Sequence, residues 1–184
     1  MSPASEIWKP NVTVAAVIER DGKFLMVEEQ TDDGIRYNQP AGHLDEGESL
    51  LQACRREVLE ETAWHFEPRE LIGVYQWRPR LAAGPPQGGA AIGFERSEQP
   101  SPPSTGRGAG GRSSITYLRF AYCGELGGHE AQRSLDEGIL QALWLSPAEL
   151  KATRDRHRSP LVMQCVSDYL AGRRFPLELI NHYS

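Results

Sequence analysis

Within Gly42 to Trp64, reading GHLDEGESLLQACRREVLEETAW, a single helix has to carry Arg55, Arg56, Glu57, Glu60 and Glu61 in its last two turns. The helix itself is well signalled. Ser49 caps it, and Gln52 three residues later completes an S-x-x-Q capping box. Ser49 to Thr62 holds no Pro or Gly and is rich in Leu, Glu, Arg, Gln and Ala, all strong helix formers. Leu50, Leu51, Cys54 and Val58 recur at helical spacing and form an apolar stripe. Glu57 and Glu61, four apart, lie on one face at the edge of that stripe. Like charges so spaced cost about 0.2–0.5 kcal/mol on a helix surface. Beside a buried stripe they are also partly desolvated, and such groups need a partner or a metal. Oxygen ligands suit Mg²⁺ or Mn²⁺, and Mg²⁺ usually arrives with substrate phosphates. The plainer alternative is an acidic, solvated helix in which Arg55 and Arg56 are ordinary salt-bridge partners.

A longer pattern decides between them. Gly42, Glu48, Arg56, Glu57, Val58, Glu60, Glu61 and Trp64 keep the spacing of a Gly, five residues, Glu, seven residues, Arg-Glu, apolar, any, Glu-Glu, any, Gly, apolar. The segment resembles the Nudix box. Ala63 departs from it, standing where the family has Gly. Gly just past a helix end supplies a left-handed residue, and Ala there costs about 1 kcal/mol. The departure bears on the exit of the chain from the helix, not on the ligands. The words around Asn38–Leu44, Tyr75-Gln76-Trp77, Tyr117–Phe120, Arg158–Val162 and Arg174–Glu178 are similar to those of the NudJ-type bacterial phosphatases. That similarity runs from about Pro10 to Ile180 apart from one insertion.

The resemblance implies an α/β fold, a Nudix-type α/β/α sandwich with a mixed sheet, and Mg²⁺ as cofactor with Mn²⁺ as a substitute. It implies that Glu57 and Glu61 are metal ligands, that Glu60 is a ligand or the water-orienting base, and that the Ala41 carbonyl is a backbone ligand. Arg56 then orients Glu57 by an ion pair, and Glu48 braces the entry loop onto the helix. A carboxylate from outside the box is sought ahead of the strand that bears Trp144. Glu137 is the candidate there and Asp136 the runner-up, against the alternative of a solvated loop acid.

Strand and turn signals fill in the rest. Val12–Ile18 reads as a strand, Asp21-Gly22 as a tight hairpin turn, and Lys23–Glu28 as its partner. Arg36–Gln39 leads into a loop, Pro40-Ala41-Gly42. Leu71–Trp77, Ser114–Gly124 and Leu140–Leu145 read as further strands. Ser146 caps a helix with Pro147 in its first turn, and Leu161–Leu170 is a last helix before Gly172. At 81–113 the chain turns Gly/Pro/Ser/Arg-rich and reads as a flexible insertion in a single domain, 1–184. A flap carrying Arg96, Arg107 or Arg112 to substrate is the sharper alternative there.

A length of 184 residues supports one domain with a real core. Net charge −5 argues against a broad nucleic-acid or anionic-membrane surface. No apolar run approaches membrane-spanning length, and MSPASEIWKPN lacks the core of a signal peptide. Cys54, Cys123 and Cys165 show no metal spacing and read as reduced residues, Cys54 in the core. The expected compartment is the cytoplasm, and the expected partner a small-molecule pyrophosphate; monomer and dimer both fit.

Single residues divide further. Trp77 either stacks on a heterocycle or belongs to core or rim. His43 either contacts phosphate or only shapes its loop. His65 and His157 read as surface, and Arg154–Arg158 and Arg173-Arg174 as solvated, though Arg158 reaches the pocket by analogy with the RSPLV word. The activity implied is hydrolysis of nucleoside tri- and diphosphates and thiamine-type pyrophosphates, with phosphate released. Nucleotide sugars, dinucleoside polyphosphates and the 5′ end of RNA are alternative substrates, the last disfavoured by the acidic charge. A Nudix-fold binding module without catalysis is a different class, and intact Glu57, Glu60 and Glu61 count against it.

Overall fold

Strand β1 (Asn11–Ala16) shows how the chain sorts itself. Its successive side chains point to opposite faces of the sheet. Ala15 and the following Val17 enter one apolar cluster, while Val14, Ala16 and Ile18 enter another. The computed structural model describes residues 7–79 and 115–183. The 81–113 insertion, with its Arg96, Arg107 and Arg112, therefore lies outside the described residues.

The middle layer holds two sheets. In the first, β1 lies between β5 (Ala41–His43), antiparallel to it, and β7 (Tyr117–His129), parallel to it; β6 (Trp64–Trp77) closes the far edge against β7. The sheet is thus mixed. In the second, β3 (Lys23–Thr31) pairs with β2 (Glu19–Arg20), β4 (Gly34–Asn38) and β8 (Ile139–Leu145). Asp21 and Gly22 both adopt positive φ, as the tight turn between β2 and β3 requires. The hairpin joins β2 to β3, however, and not β1 to β3. The chain changes sheets at Val17-Ile18, with Leu25 N–H donating to the Ile18 carbonyl as the hand-over.

Helix α1 (Leu50–Thr62) covers one face through Ala53, Cys54 and Val58. Helices α2 (Pro147–Ala152) and α3 (Leu161–Leu170) cover the other through Leu150, Val162, Cys165 and Val166. The strands of the second sheet divide in the same way: Phe24 and Met26 join the α2–α3 cluster, and Leu25 the α1 cluster. The result is the α/β/α sandwich expected from the sequence. The expected Ser49–Gln52 capping box forms, and the expected Ser146 cap is itself completed into a box by Glu149. Cys54, Cys123 and Cys165 are buried and unpaired with one another. Among the described residues no helix is long and apolar enough to cross a membrane.

Three readings change. The loop expected at Pro40-Ala41-Gly42 is in part a short edge strand, Ala41–His43, because these residues pair with β1, and Arg36–Asn38 before it belongs to β4. His157 is half-buried: it bridges to Tyr37, and the next amide, Arg158 N–H, donates to the Tyr37 carbonyl. Arg156 and Arg174 lie over the Tyr37 and Tyr169 rings at 4.3 and 4.1 Å, their stems packed while their charges reach Glu28 and Glu70.

Candidate active site

The α1 carboxylates are placed by two neighbours on β5. Glu57 is 8% exposed, and its carboxyl occupies the space where a Cβ on Gly42 would stand. Any larger residue at 42 would collide with it. Glu61, 9% exposed, accepts a hydrogen bond from the Ala41 N–H at 2.8 Å. As an edge strand, β5 has amides left unpaired by the sheet, and a carboxylate satisfies this one. Burial raises Glu57 above its ordinary value, with Arg56 opposing it. Burial raises Glu61 well above the carboxylate range, and Glu57, Glu29 and Asp136 add to the push.

Arg56 is the hub of the surrounding charges. Its Nε and Nη2 donate to the two Glu48 oxygens at 2.7 and 2.9 Å. Its Nη1 donates to Glu57 at 2.8 Å and Glu60 at 3.1 Å, and Nη2 also reaches the His43 carbonyl at 3.0 Å. The expected ion pair with Glu57 and the brace through Glu48 are both present. The Arg56 hydrogen bonds hold Glu48 below its usual range. The guanidinium fork thus clamps loop, helix and one buried carboxylate in a single arrangement.

The acids ahead of β8 separate. Asp136 N–H donates to the Glu60 carbonyl at 3.0 Å, and the Asp136 charge is among those that press most on Glu57 and Glu61. Both side chains are exposed, and Glu137 is not among those charges. The structure brings the runner-up, Asp136, toward the cluster, and Glu137 not. Ala63, left-handed at φ 58°, ends α1 as the family's Gly would, so the departure leaves the chain's exit unchanged.

A cavity of about 500 Å³ opens between the two sheets. Ala41, Gly42 and His43 line it along the β5 edge, and Trp77 along the β6 edge. Three strand spacings separate those edges, roughly 14 Å. Trp77 stacks on Tyr117, its cross-strand partner, at 5.6 Å and 23°. Trp77 is therefore cavity wall, as is Arg158, which the RSPLV word had pointed to. His43 lines the cavity too; His65 is surface and pairs with Glu130 at 2.8 Å. Thr13, Glu29, Asn38, Tyr117 and Arg119 also line the wall; none of them has a role in the sequence reading, although Asn38, Tyr117 and Arg119 stand in the family-like words. One signal was available. Arg119 sits at an inward position of the alternating strand Tyr117–Cys123, between Tyr117 and Ala121, where a charge is out of place.

Among the described residues no three acidic or His side chains converge at ligating spacing. Arg56 and the Ala41 amide hold the carboxylates instead. The donor set nevertheless fits a hard divalent cation: carboxylate oxygens, two of them buried, beside a glycine that leaves them room.

Comparison with known proteins agrees with this geometry. The NUDIX domain family matches residues 8–165, so the chain belongs to the Nudix family and is a hydrolase of phosphoric anhydrides. It is similar to the Phosphatase NudJ of Shigella boydii serotype 4, with 34% identity over 97% of this chain and 95% of that protein. The Phosphatase NudJ of Escherichia coli K12 is 32% identical over the same shares. A NUDIX hydrolase from Nitrosomonas europaea superposes with a TM-score of 0.75 at 43% identity, covering 95% of this chain and 98% of that one.

Proposed function

We propose that this protein is a Mg²⁺-dependent phosphatase of small pyrophosphates, acting on nucleoside tri- and diphosphates and thiamine-type pyrophosphates and releasing phosphate. The observation that carries it is the buried Glu57–Glu61 pair seated against Gly42 and Ala41, which also line a cavity of ligand size. The similarity to proteins named Phosphatase NudJ supports release of phosphate.

Glu57 and Glu61 would hold the cation, with Glu60 and the Ala41 carbonyl beside them. When bound, Mg²⁺ lowers the pKa of a coordinated water and offsets the charge on the phosphates. Glu60 orients the attacking water or takes its proton. Asp136 replaces Glu137 as the nearby acid outside the helix. Arg56 keeps Glu57 ionised and aimed, through the bonds described above. Arg158 and His43, on the cavity wall, face the phosphate chain, and Trp77 with Tyr117 takes the organic group.

The test measures phosphate and pyrophosphate release from GTP, GDP, thiamine pyrophosphate, ADP-ribose and a diadenosine polyphosphate, with and without Mg²⁺. Orthophosphate from the first three, abolished in Glu61→Gln, is the expected result. AMP from ADP-ribose or the diadenosine compound, in place of orthophosphate, would sink the phosphatase reading.

A further inference from the structure

Arg119 is 8% exposed, lines the cavity, and forms no ion pair among the described residues. Its Nη1 is shut off from solvent without a hydrogen-bond partner. A buried, incompletely paired guanidinium is costly and is kept only where something completes it. Three other cavity-lining side chains share this state. Thr13 Oγ1, Glu29 Oε1 and Asn38 Oδ1 are likewise buried without a hydrogen-bond partner, Glu29 Oε1 lying 3.8 Å from Arg158 Nε. Thr13 lies directly beside Arg119 in the β1–β7 register, and Glu29 is close enough to act on Arg119 electrostatically. In the neighbouring row of the sheet stand Trp77 and Tyr117.

The mixture of atoms fits one kind of ligand better than another. Phosphate oxygens only accept hydrogen bonds at neutral pH, so they would leave Glu29 Oε1 and Asn38 Oδ1 unsatisfied. A heterocycle whose edge places an acceptor beside an N–H donor satisfies both kinds of group at once. The acceptor meets Arg119, the donor meets Glu29 or Asn38, and the ring lies by the Trp77–Tyr117 pair.

We propose that Arg119, with Glu29 and Asn38, determines specificity by reading a donor–acceptor edge of the substrate's heterocycle. The proposal rests on the pyrophosphatase reading above and narrows it: rings lacking that edge are poor substrates however well they stack. An orphaned donor or acceptor in a site built for hydrogen bonding discriminates strongly against ligands that leave it unpaired.

The experiment compares GDP with benzyl diphosphate, which offers a ring and a diphosphate but no polar edge. Turnover with Mg²⁺ is measured alongside affinity from quenching of tryptophan fluorescence, in wild type and R119K. Wild type should favour GDP roughly tenfold to hundredfold in kcat/KM and in affinity. R119K should erase most of that preference while its kcat on benzyl diphosphate is kept. Equal losses on both substrates in R119K would place Arg119 on the phosphates and overturn the proposal. A wild type indifferent to the edge overturns it even if R119K fails to fold. If neither compound is turned over, the pyrophosphatase reading falls, and the affinity comparison still decides this one.

Discussion

The two ends of the cavity are built in opposite ways. At the β5 edge, the charged machinery comes from one helix and the short strand before it, Ala41 to Glu61, and the side-chain hydrogen bonds of Arg56 and Glu61 there stay within that segment. At the β6 edge and across the floor, Thr13, Glu29, Asn38, Trp77 and Arg119 come from five different strands. The first end is fully bonded around Arg56; the second keeps several buried polar atoms without partners. A part that every substrate of this chemistry uses is finished in the protein. A part that distinguishes one substrate from another is finished by the substrate.

Breaking the first end should abolish turnover without regard to substrate. Glu61→Gln should lower kcat by on the order of 10³ for all substrates, since metal-ion charge stabilisation is worth several kcal/mol. Its melting temperature without metal should equal or exceed wild type at pH 8, because a buried charge is removed. A lower one would show that the Ala41 contact outweighs the burial cost of Glu61.

Gly42→Ala should follow, at roughly 100-fold, by displacing the Glu57 carboxyl while leaving the fold intact. Wild-type rates in that variant would show that the position of Glu57 is not limiting. Glu48→Gln sharpens the contrast further. It removes a charge from the Arg56 clamp without touching the buried pair, and a loss of about 10–100-fold is expected in metal affinity or rate. Metal affinity by titration calorimetry separates that effect from substrate binding.

The charges also set a pH dependence. Burial holds Glu57 and Glu61 above the value they have unfolded, about 4.3. Such a group adds stability that is present below the unfolded value and lost as pH rises through the folded one. Without divalent cation this contribution therefore fades as pH rises above the unfolded value. Mg²⁺ engages the ionised form, so it should raise the melting temperature more at pH 8 than at pH 5. An equal rise at both would place the cation elsewhere.

The same division governs how much could be read from residues alone. Glu57 and Glu61, their helix and its capping box were legible because a helix fixes which of its own residues meet; the clamp from Arg56 was legible only through the family resemblance. Gly42 was legible as part of a pattern, though its reason, room for the Glu57 carboxyl, is visible only in three dimensions. The floor was not legible: strand periodicity states which face Arg119 takes, but not that Thr13 from a strand a hundred residues earlier stands next to it. Asp136 and Glu137 are adjacent, and spacing alone does not say that the Asp136 charge is the one felt by Glu57 and Glu61. The smallest predicted effect is Ala63→Gly, which should stabilise by about 1 kcal/mol by relieving the left-handed Ala, read as a shift in denaturant midpoint.

Parallel pairing of Asn11–Ala16 with Tyr117–Tyr122 has a consequence for the order in which the molecule comes into being. On the ribosome the first strand and the carboxylate helix emerge early, and β1 can pair with β5 at once. The strand that gives β1 its other neighbour is made about a hundred residues later. Contacts of such long sequence separation close slowly, because loop entropy is lost before they form. The residues of the acidic helix are therefore synthesised before those of β7, and the pocket floor can close only once β7 has been made.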